Sequence, residues 1–167
     1  MGKVEGRIGG FISGYDVHAS IDNGRIAGRI GGTLLGADLD IKYSFEIGTI
    51  EGRIGGVIIG RSISGTIGKD YVSVRLGGAI DGNDLNLRIS GNEILGRCGG
   101  EVIGFDVKLT FDNEKISGRM GGNVIGFDVE GTYVDVEPIV AGLLFATAYY
   151  IYKVNHRGGQ SGSGNGN

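Results

Sequence analysis

The phrase Gly-Arg-Ile-Gly-Gly stands at 6–10, 28–32 and 52–56, and returns with one or two substitutions at 74–78, 96–100 and 118–122. Its arginines are Arg7, Arg29, Arg53, Arg75, Arg97 and Arg119, spaced by 22, 24, 22, 22 and 22 residues. A fixed period of this length restricts a chain to stacked or radially repeated architectures. Helices are excluded at once. Glycine at this density costs about 1 kcal/mol per position in a helix interior, and the aliphatic residues recur at two and four rather than three and four.

Each unit reads as two strands. Around the phrase, Ile116, Gly118, Met120, Gly122 and Val124 fall on one face and Ser117, Arg119, Gly121 and Asn123 on the other. This period of two marks a half-buried strand, here strand A. Its aliphatic slots recur as Val4, Ile26, Ile50, Val72, Ile94 and Ile116, then Ile8, Ile30, Ile54, Leu76, Cys98 and Met120, then Ile12, Leu34, Ile58, Ile80, Val102 and Val124. Six residues beyond the phrase stands Asp16, Asp38, Asp84, Asp106 or Asp128, with Ser62 in the third unit, and a second alternation follows as strand B. The glycine that precedes this slot by two residues (Gly14, Gly36, Gly60, Gly82, Gly104, Gly126) is expected to take φ > 0. Turn chemistry closes each unit at 22–25, 90–93 and 112–115.

Alternation of glycine with isoleucine on the inward face of strand A predicts hollows into which bulky strand-B groups such as Leu109 and Phe111 fit. A methyl added there should cost about 1–3 kcal/mol. One unit carries its own compensation, because Val74 replaces the phrase glycine where strand B has Gly65.

Two all-β assemblies satisfy this pattern. In a β-solenoid, each ~22-residue strand-turn-strand unit is one coil, A stacked on A and B on B. The period and two-strand layout resemble curli-type β-arch repeats in architecture, without their Ser, Gln and Asn at fixed positions. In the alternative, consecutive strands pair as a twelve-strand antiparallel meander closed as a barrel or sandwich. A solenoid sets the arginines in a ladder about 4.8 Å apart, with repulsion of about 0.9 kcal/mol per pair in water. A meander must bury its apolar face against something, whereas a solenoid closes on itself. The solenoid is therefore the favoured expectation.

The expected organisation is a repetitive β domain over 1–137, an apolar C-terminal helix over 138–155 and a flexible Gly/Ser/Asn tail over 156–167. Pro138 suits the first helical turn. The uncharged run 139–152 is shorter than the ~20 residues of a membrane span. Tyr149, Tyr150 and Tyr152, followed by Lys153 and Arg157, have the character of an interfacial edge. A helix that caps the β stack or packs between subunits is expected first, and insertion in a membrane second.

Nothing in the chain marks chemistry. His18 falls on the outward face of strand B, His156 in the tail, and Cys98 in an inward aliphatic slot, where a buried thiol is expected. The Cys and His residues have no metal-ligand spacing. The glycine phrases lack a Walker lysine and lie on strands. One aspartate per unit is poor in ligands for a calcium ladder. No catalytic, cofactor-binding or metal residue, and no cofactor, is predicted. A net charge of −3 speaks against a nucleic-acid partner. No secretory signal is visible at residues 1–10, and a cell-surface or membrane-associated location is the expectation. The function expected is that of a non-enzymatic structural protein that self-associates into a fibre, sheet or surface scaffold. The alternative is a membrane-associated β protein, an anchored binding module or pore-like barrel, in contact with lipid through 139–152.

Overall fold

The computed structural model of the chain describes residues 1–161 apart from 33–34, 56–59, 79, 101–103 and 123–124, with side chains described as far as His156. The strands are β1 (Gly2–Gly9), β2 (Gly14–Asp22), β3 (Arg25–Gly31), β4 (Gly36–Ser44), β5 (Thr49–Gly55), β6 (Gly60–Ile67), β7 (Tyr71–Leu76), β8 (Asn83–Ser90), β9 (Glu93–Gly99), β10 (Gly104–Asp112), β11 (Lys115–Gly121) and β12 (Gly126–Val134). Every one pairs antiparallel with its sequence neighbours, and β1 pairs with β12, so the meander closes as a barrel. Strand A of each unit is odd-numbered and strand B even-numbered. The solenoid expected from the sequence, and with it the curli-like layout, is not formed. Closure sets successive phrase arginines two strands apart, which removes the like-charge ladder that stacking would impose.

The antiparallel choice needs a partner for the apolar face, and the C-terminal segment is that partner. Helix α1 (Pro138–Ser161) runs back through the barrel it follows. Asp135, at φ 52°, turns the chain at the end of β12, and from Ile139 to Ile151 every residue is buried. A helix that is apolar all round has to be enclosed, and here the wall encloses it. Capping of a stack, subunit contact and membrane insertion were the roles the sequence suggested; the observed one is to fill the lumen. Eight strands leave an interior just filled by side chains, and diameter grows with strand number. Twelve leave room for a helix. The lengths agree as well. Strands of about eight residues, at ~3.3 Å per residue and a tilt near 40°, make a wall about 20 Å tall. Thirteen helical residues at 1.5 Å span about 20 Å. The helix continues to Ser161, beyond the expected end at 155, and positions 162–167 of the tail lie outside the described residues.

The wall is apolar inside and charged outside. Val4, Ile8, Ile26, Ile30, Ile41, Leu85 and Leu109 are fully buried, while Asp40, Lys42, Lys108 and Glu130 point away from the lumen and are exposed. Cys98 occupies its inward slot, and burial pushes its thiol up to about 12. Inward alternation stops earlier than the sequence suggests. Ile12 and Ile80, assigned above to an inward slot, are 95% and 100% exposed; Leu34, Ile58, Val102 and Val124 of the same series lie outside the described residues. The strand ends because the first glycine of each pair takes a left-handed φ, as at Gly9 (85°) and Gly99 (81°). Among the described residues, positive φ therefore falls on this glycine and not on Gly14, Gly36, Gly82 or Gly126, where it was expected.

Turns at the opposite end follow their residue types. Asn23–Gly24 and Asn113–Glu114 take positive φ at both central positions, as a type I′ hairpin requires, and Gly91 at the first position only, as in type II′.

The phrase glycines do permit close approach, but not chiefly of strand-B side chains. A Cβ on Gly28, Gly52, Gly96 or Gly118 would run into a backbone carbonyl of the adjacent strand B. At Gly6 and Gly131 the obstacle is also the Phe145 ring of the helix. The expected exchange is direct, but it joins two units: Gly65 of the third and Val74 of the fourth are cross-strand partners.

Two outcomes check this arrangement. Gly131→Ala should lower stability by about 1–3 kcal/mol, since the methyl meets both Phe145 and the Glu5 carbonyl. Gly100→Ala, with open space around it, should stay within about 0.5 kcal/mol; urea denaturation of both variants makes the comparison. Thr147, fully buried on α1, has a hydroxyl with no hydrogen-bond partner. Thr147→Val should raise stability by about 1 kcal/mol, read as a higher denaturation midpoint at unchanged slope.

Candidate functional site

The A-to-B loops all emerge at one end of the barrel, and the repeat concentrates its chemistry there. In the register, each phrase arginine faces the residue nine positions on, which is the strand-B aspartate in five units and Ser62 in the third. The pairs form in five units: Arg7–Asp16 at 2.8 Å, Arg29–Asp38 at 3.1 Å, Arg75–Asp84 at 3.0 Å, Arg97–Asp106 at 2.7 Å and Arg119–Asp128 at 3.1 Å. The same guanidinium reaches the second glycine of the phrase. Arg7 Nη2 donates to Gly10 O at 2.9 Å, and Arg97 Nη2 to Gly100 O at 2.7 Å. It also lies over the glycine that opens strand B, where a Cβ on Gly36 would stand 2.7 Å from Arg29 Nη2. The arginine is thus a clasp on the loop. Its bridges are largely open to solvent, so each contributes about 0–1 kcal/mol to global stability.

Above the clasps stand the loop tips. Phe11 is 99% exposed, Ile12 95%, Ile80 100% and Ile125 81%, and Leu35 is exposed as well. Within the ring they surround, α1 emerges. Tyr150 Oη donates to Leu76 O at 3.3 Å, and Asn155 Nδ2 to Tyr15 Oη at 2.8 Å. Tyr149 packs edge-on against Phe105, with burial raising its phenol, and Tyr152 packs against Phe127. Lys153 Nζ sits 5.6 Å from the centre of the Tyr149 ring.

The third unit departs from the others. Arg53 faces Ser62 in the register instead of an aspartate, and Ser62 Oγ donates to Gly77 O at 3.1 Å. Beside it lies a cleft of about 660 Å³, lined by Arg53, Arg61, Asp81, Val154 and Asn155 among others. Arg61 Nη1 donates to Tyr150 Oη at 3.2 Å at the barrel mouth.

The remaining residues singled out in the sequence lie apart. His18 is solvent-exposed on the outer wall, 3.6 Å from Glu5. His156 is on the helix rather than in a tail, stacked on Tyr152 at 3.8 Å. Among the described residues no group of His, Cys, Asp and Glu is placed to hold a metal ion. No helix among them is long and apolar enough to cross a membrane.

Sequence reasoning missed the tips, although a signal was present. Phe11–Ile12, Leu34–Leu35, Ile58–Ile59, Val102–Ile103 and Val124–Ile125 are adjacent apolar pairs. Two neighbours in a strand cannot both face inward, so each pair marked a break in the alternation.

No protein-family model, no curated protein and no solved structure matches this chain.

Removing one clasp should loosen its loop without unfolding the barrel. Arg97→Ala is expected to cost at most about 1 kcal/mol in urea while raising the rate of proteolytic nicking between Gly99 and Gly104.

Proposed function

We propose that the chain is a non-enzymatic docking module, a rigid closed barrel that attaches to another apolar surface through its A-to-B loop rim. The observation that carries this is the exposure of Phe11, Ile12, Ile80 and Ile125 at one end of the molecule. Large apolar side chains presented together at the surface mark contact sites. The interior argues the same way, since the lumen is occupied by the helix and its wall bears aliphatic groups. The outer wall does not suit a lipid-facing pore, in which apolar groups point out and polar groups in; here the two faces are reversed.

Self-association is the second reading, and it uses the same surface. A closed barrel has no open strand edge of the kind that invites pairing, so assembly into a larger scaffold falls to the loops. Contact with a membrane through 139–152 would require the helix to leave the lumen. On this proposal contact is made by the tips around it.

The test compares the wild type with a variant carrying Phe11→Ser, Ile12→Ser, Ile80→Ser and Ile125→Ser. Sedimentation velocity over a concentration series and detergent phase partition are the measurements. The wild type should self-associate or enter the detergent phase, and the variant should remain a monomer in the aqueous phase. Identical behaviour of the two proteins overturns the proposal.

A further inference from the structure

We infer that the mouth of the barrel holds a binding site for a small zwitterion with an aliphatic body, of the free amino-acid kind. The site lies between α1 and the ends of β4, β5, β6 and β7, and none of Phe11, Ile12 and Ile125 lines it. It is separate from the docking rim and goes beyond it.

The space comes from the position of the helix. The backbone of α1 comes close to β1–β3 and to β7–β12 but stands off from β4, β5 and β6. On that side, at the end where the helix emerges, the cleft of about 660 Å³ opens between wall and helix. Concave spaces of this size at the mouths of β-barrels are favoured places for small ligands. Ala37, Ile54, Ile151 and Val154 give the cleft an apolar side. Gly55, Gly60 and Gly77 leave bare backbone along it, which lets a ligand come close to the chain.

The cation is placed by the repeat. Near its start, each strand B has an inward-facing residue opposite an inward residue of strand A: Tyr15, Ala37, Arg61, Asn83, Phe105 or Phe127. Five of these six are neutral. Among the described residues, Arg61 is the one charged side chain in an inward register position of the wall. Its guanidinium is held in place. Nη1 donates to Tyr150 Oη at 3.2 Å, that hydroxyl donates to Leu76 O at 3.3 Å, and the Tyr150 ring centre lies 5.7 Å from the guanidinium carbon. No carboxylate among the described residues lies within ion-pair distance of Arg61. The rest of its planar fork suits a carboxylate brought by a ligand.

Asp81 supplies the opposite charge. Its Oδ1 accepts from Gly78 N at 3.2 Å, and it lines the same cleft without pairing with Arg61. The other guanidinium in the lining, Arg53, has Asp40 opposite it on β4. A cation and a carboxylate that face one cleft without joining fit a ligand that carries both charges. A phosphate dianion would be drawn by Arg61 and repelled by Asp81. A simple carboxylic acid would leave Asp81 without a counter-charge.

The experiment is calorimetric titration of the full chain with L-leucine, isocaproate, isoamylamine, glycine and inorganic phosphate. Leucine should bind saturably at one site. Isocaproate lacks the ammonium and isoamylamine the carboxylate, and each should bind at least about tenfold more weakly. Glycine, without the aliphatic body, should lose at least about fivefold. Arg61→Gln keeps a donor for Tyr150; it should weaken leucine at least about tenfold and leave isoamylamine unchanged. Asp81→Asn, at an exposed loop position, should weaken leucine at least about fivefold without weakening isocaproate. Should Arg61→Gln fold poorly, the ligand series on the wild type and Asp81→Asn carry the test. Absence of saturable leucine binding overturns the inference, as does leucine binding that neither variant changes. Isocaproate bound as tightly as leucine would reduce the cleft to a carboxylate site and overturn the zwitterion. Phosphate bound in preference to leucine, and lost in Arg61→Gln, would assign the cleft to an inorganic anion and overturn it too. Neither variant alters a loop tip, so each of these outcomes leaves the docking module standing.

Discussion

The structure depends on one fit, an apolar helix inside a twelve-stranded wall. Neither part is self-sufficient. The helix from Ile139 to Ile151 is buried on every side, and as a free segment it would expose Ile139, Val140, Leu143, Leu144 and Phe145 to water. Fully burying such side chains is worth about 1.5–3 kcal/mol each. The sum rivals the whole net stability of a domain, about 5–15 kcal/mol. A wall without the helix would surround a hollow too wide for its own side chains to fill. Closure of β1 on β12 and insertion of the helix are therefore one event in thermodynamic terms. The short link from Val134 to Pro138, turned at Asp135, delivers the helix to the lumen as soon as the last strand is in place.

The glycine phrase is read most directly as three separate steric answers within five residues. Its leading glycine admits the neighbouring strand's carbonyl and, at Gly6, the Phe145 ring. The first of the paired glycines takes the left-handed φ that ends the strand. The second offers its carbonyl to the arginine. That arginine then covers the glycine that opens the next strand. A single residue type recurs because each position lacks room or conformational latitude for a side chain, and for a different reason each time. The clasp is weak in energy but specific in place, so it shapes the loop more than it holds the barrel.

Much of this was legible in the sequence. Strand polarity, the inward slots of Val4 and Ile8, the buried thiol of Cys98, the solvated His18 and the Gly65–Val74 exchange all follow from a period of two. Unit assembly did not, because the pattern within a unit is the same for a parallel coil and an antiparallel hairpin. The deciding term lay outside the repeat, in the run 139–151. Judged against a bilayer that run is too short, and judged against a wall about 20 Å tall it is the right length. The loop tips were misplaced for a related reason. Extending the alternation through Gly122 to Val124 ignored the left-handed glycine at 121, where φ is 125° and the strand ends.

Repetition gives the rim its character and also makes its one exception informative. In the proposed docking role, repeated loops at one end would multiply a contact too weak to matter singly, in the way that linked weak sites gain from effective concentration. On that proposal a single tip such as Phe11–Ile12 is a marginal anchor, and Ile80 and Ile125 at the same end make it a firmer one. Where five units set an aspartate opposite the phrase arginine within the hairpin, the third has Ser62, at a cleft that also holds Arg61. The geometry of the wall does not demand that change, since the strand pairing of β5 and β6 keeps the register of the other hairpins. What the change alters is the charge of one sector of the rim. The change therefore belongs to the loop end, on which the proposed docking rests, and not to the wall.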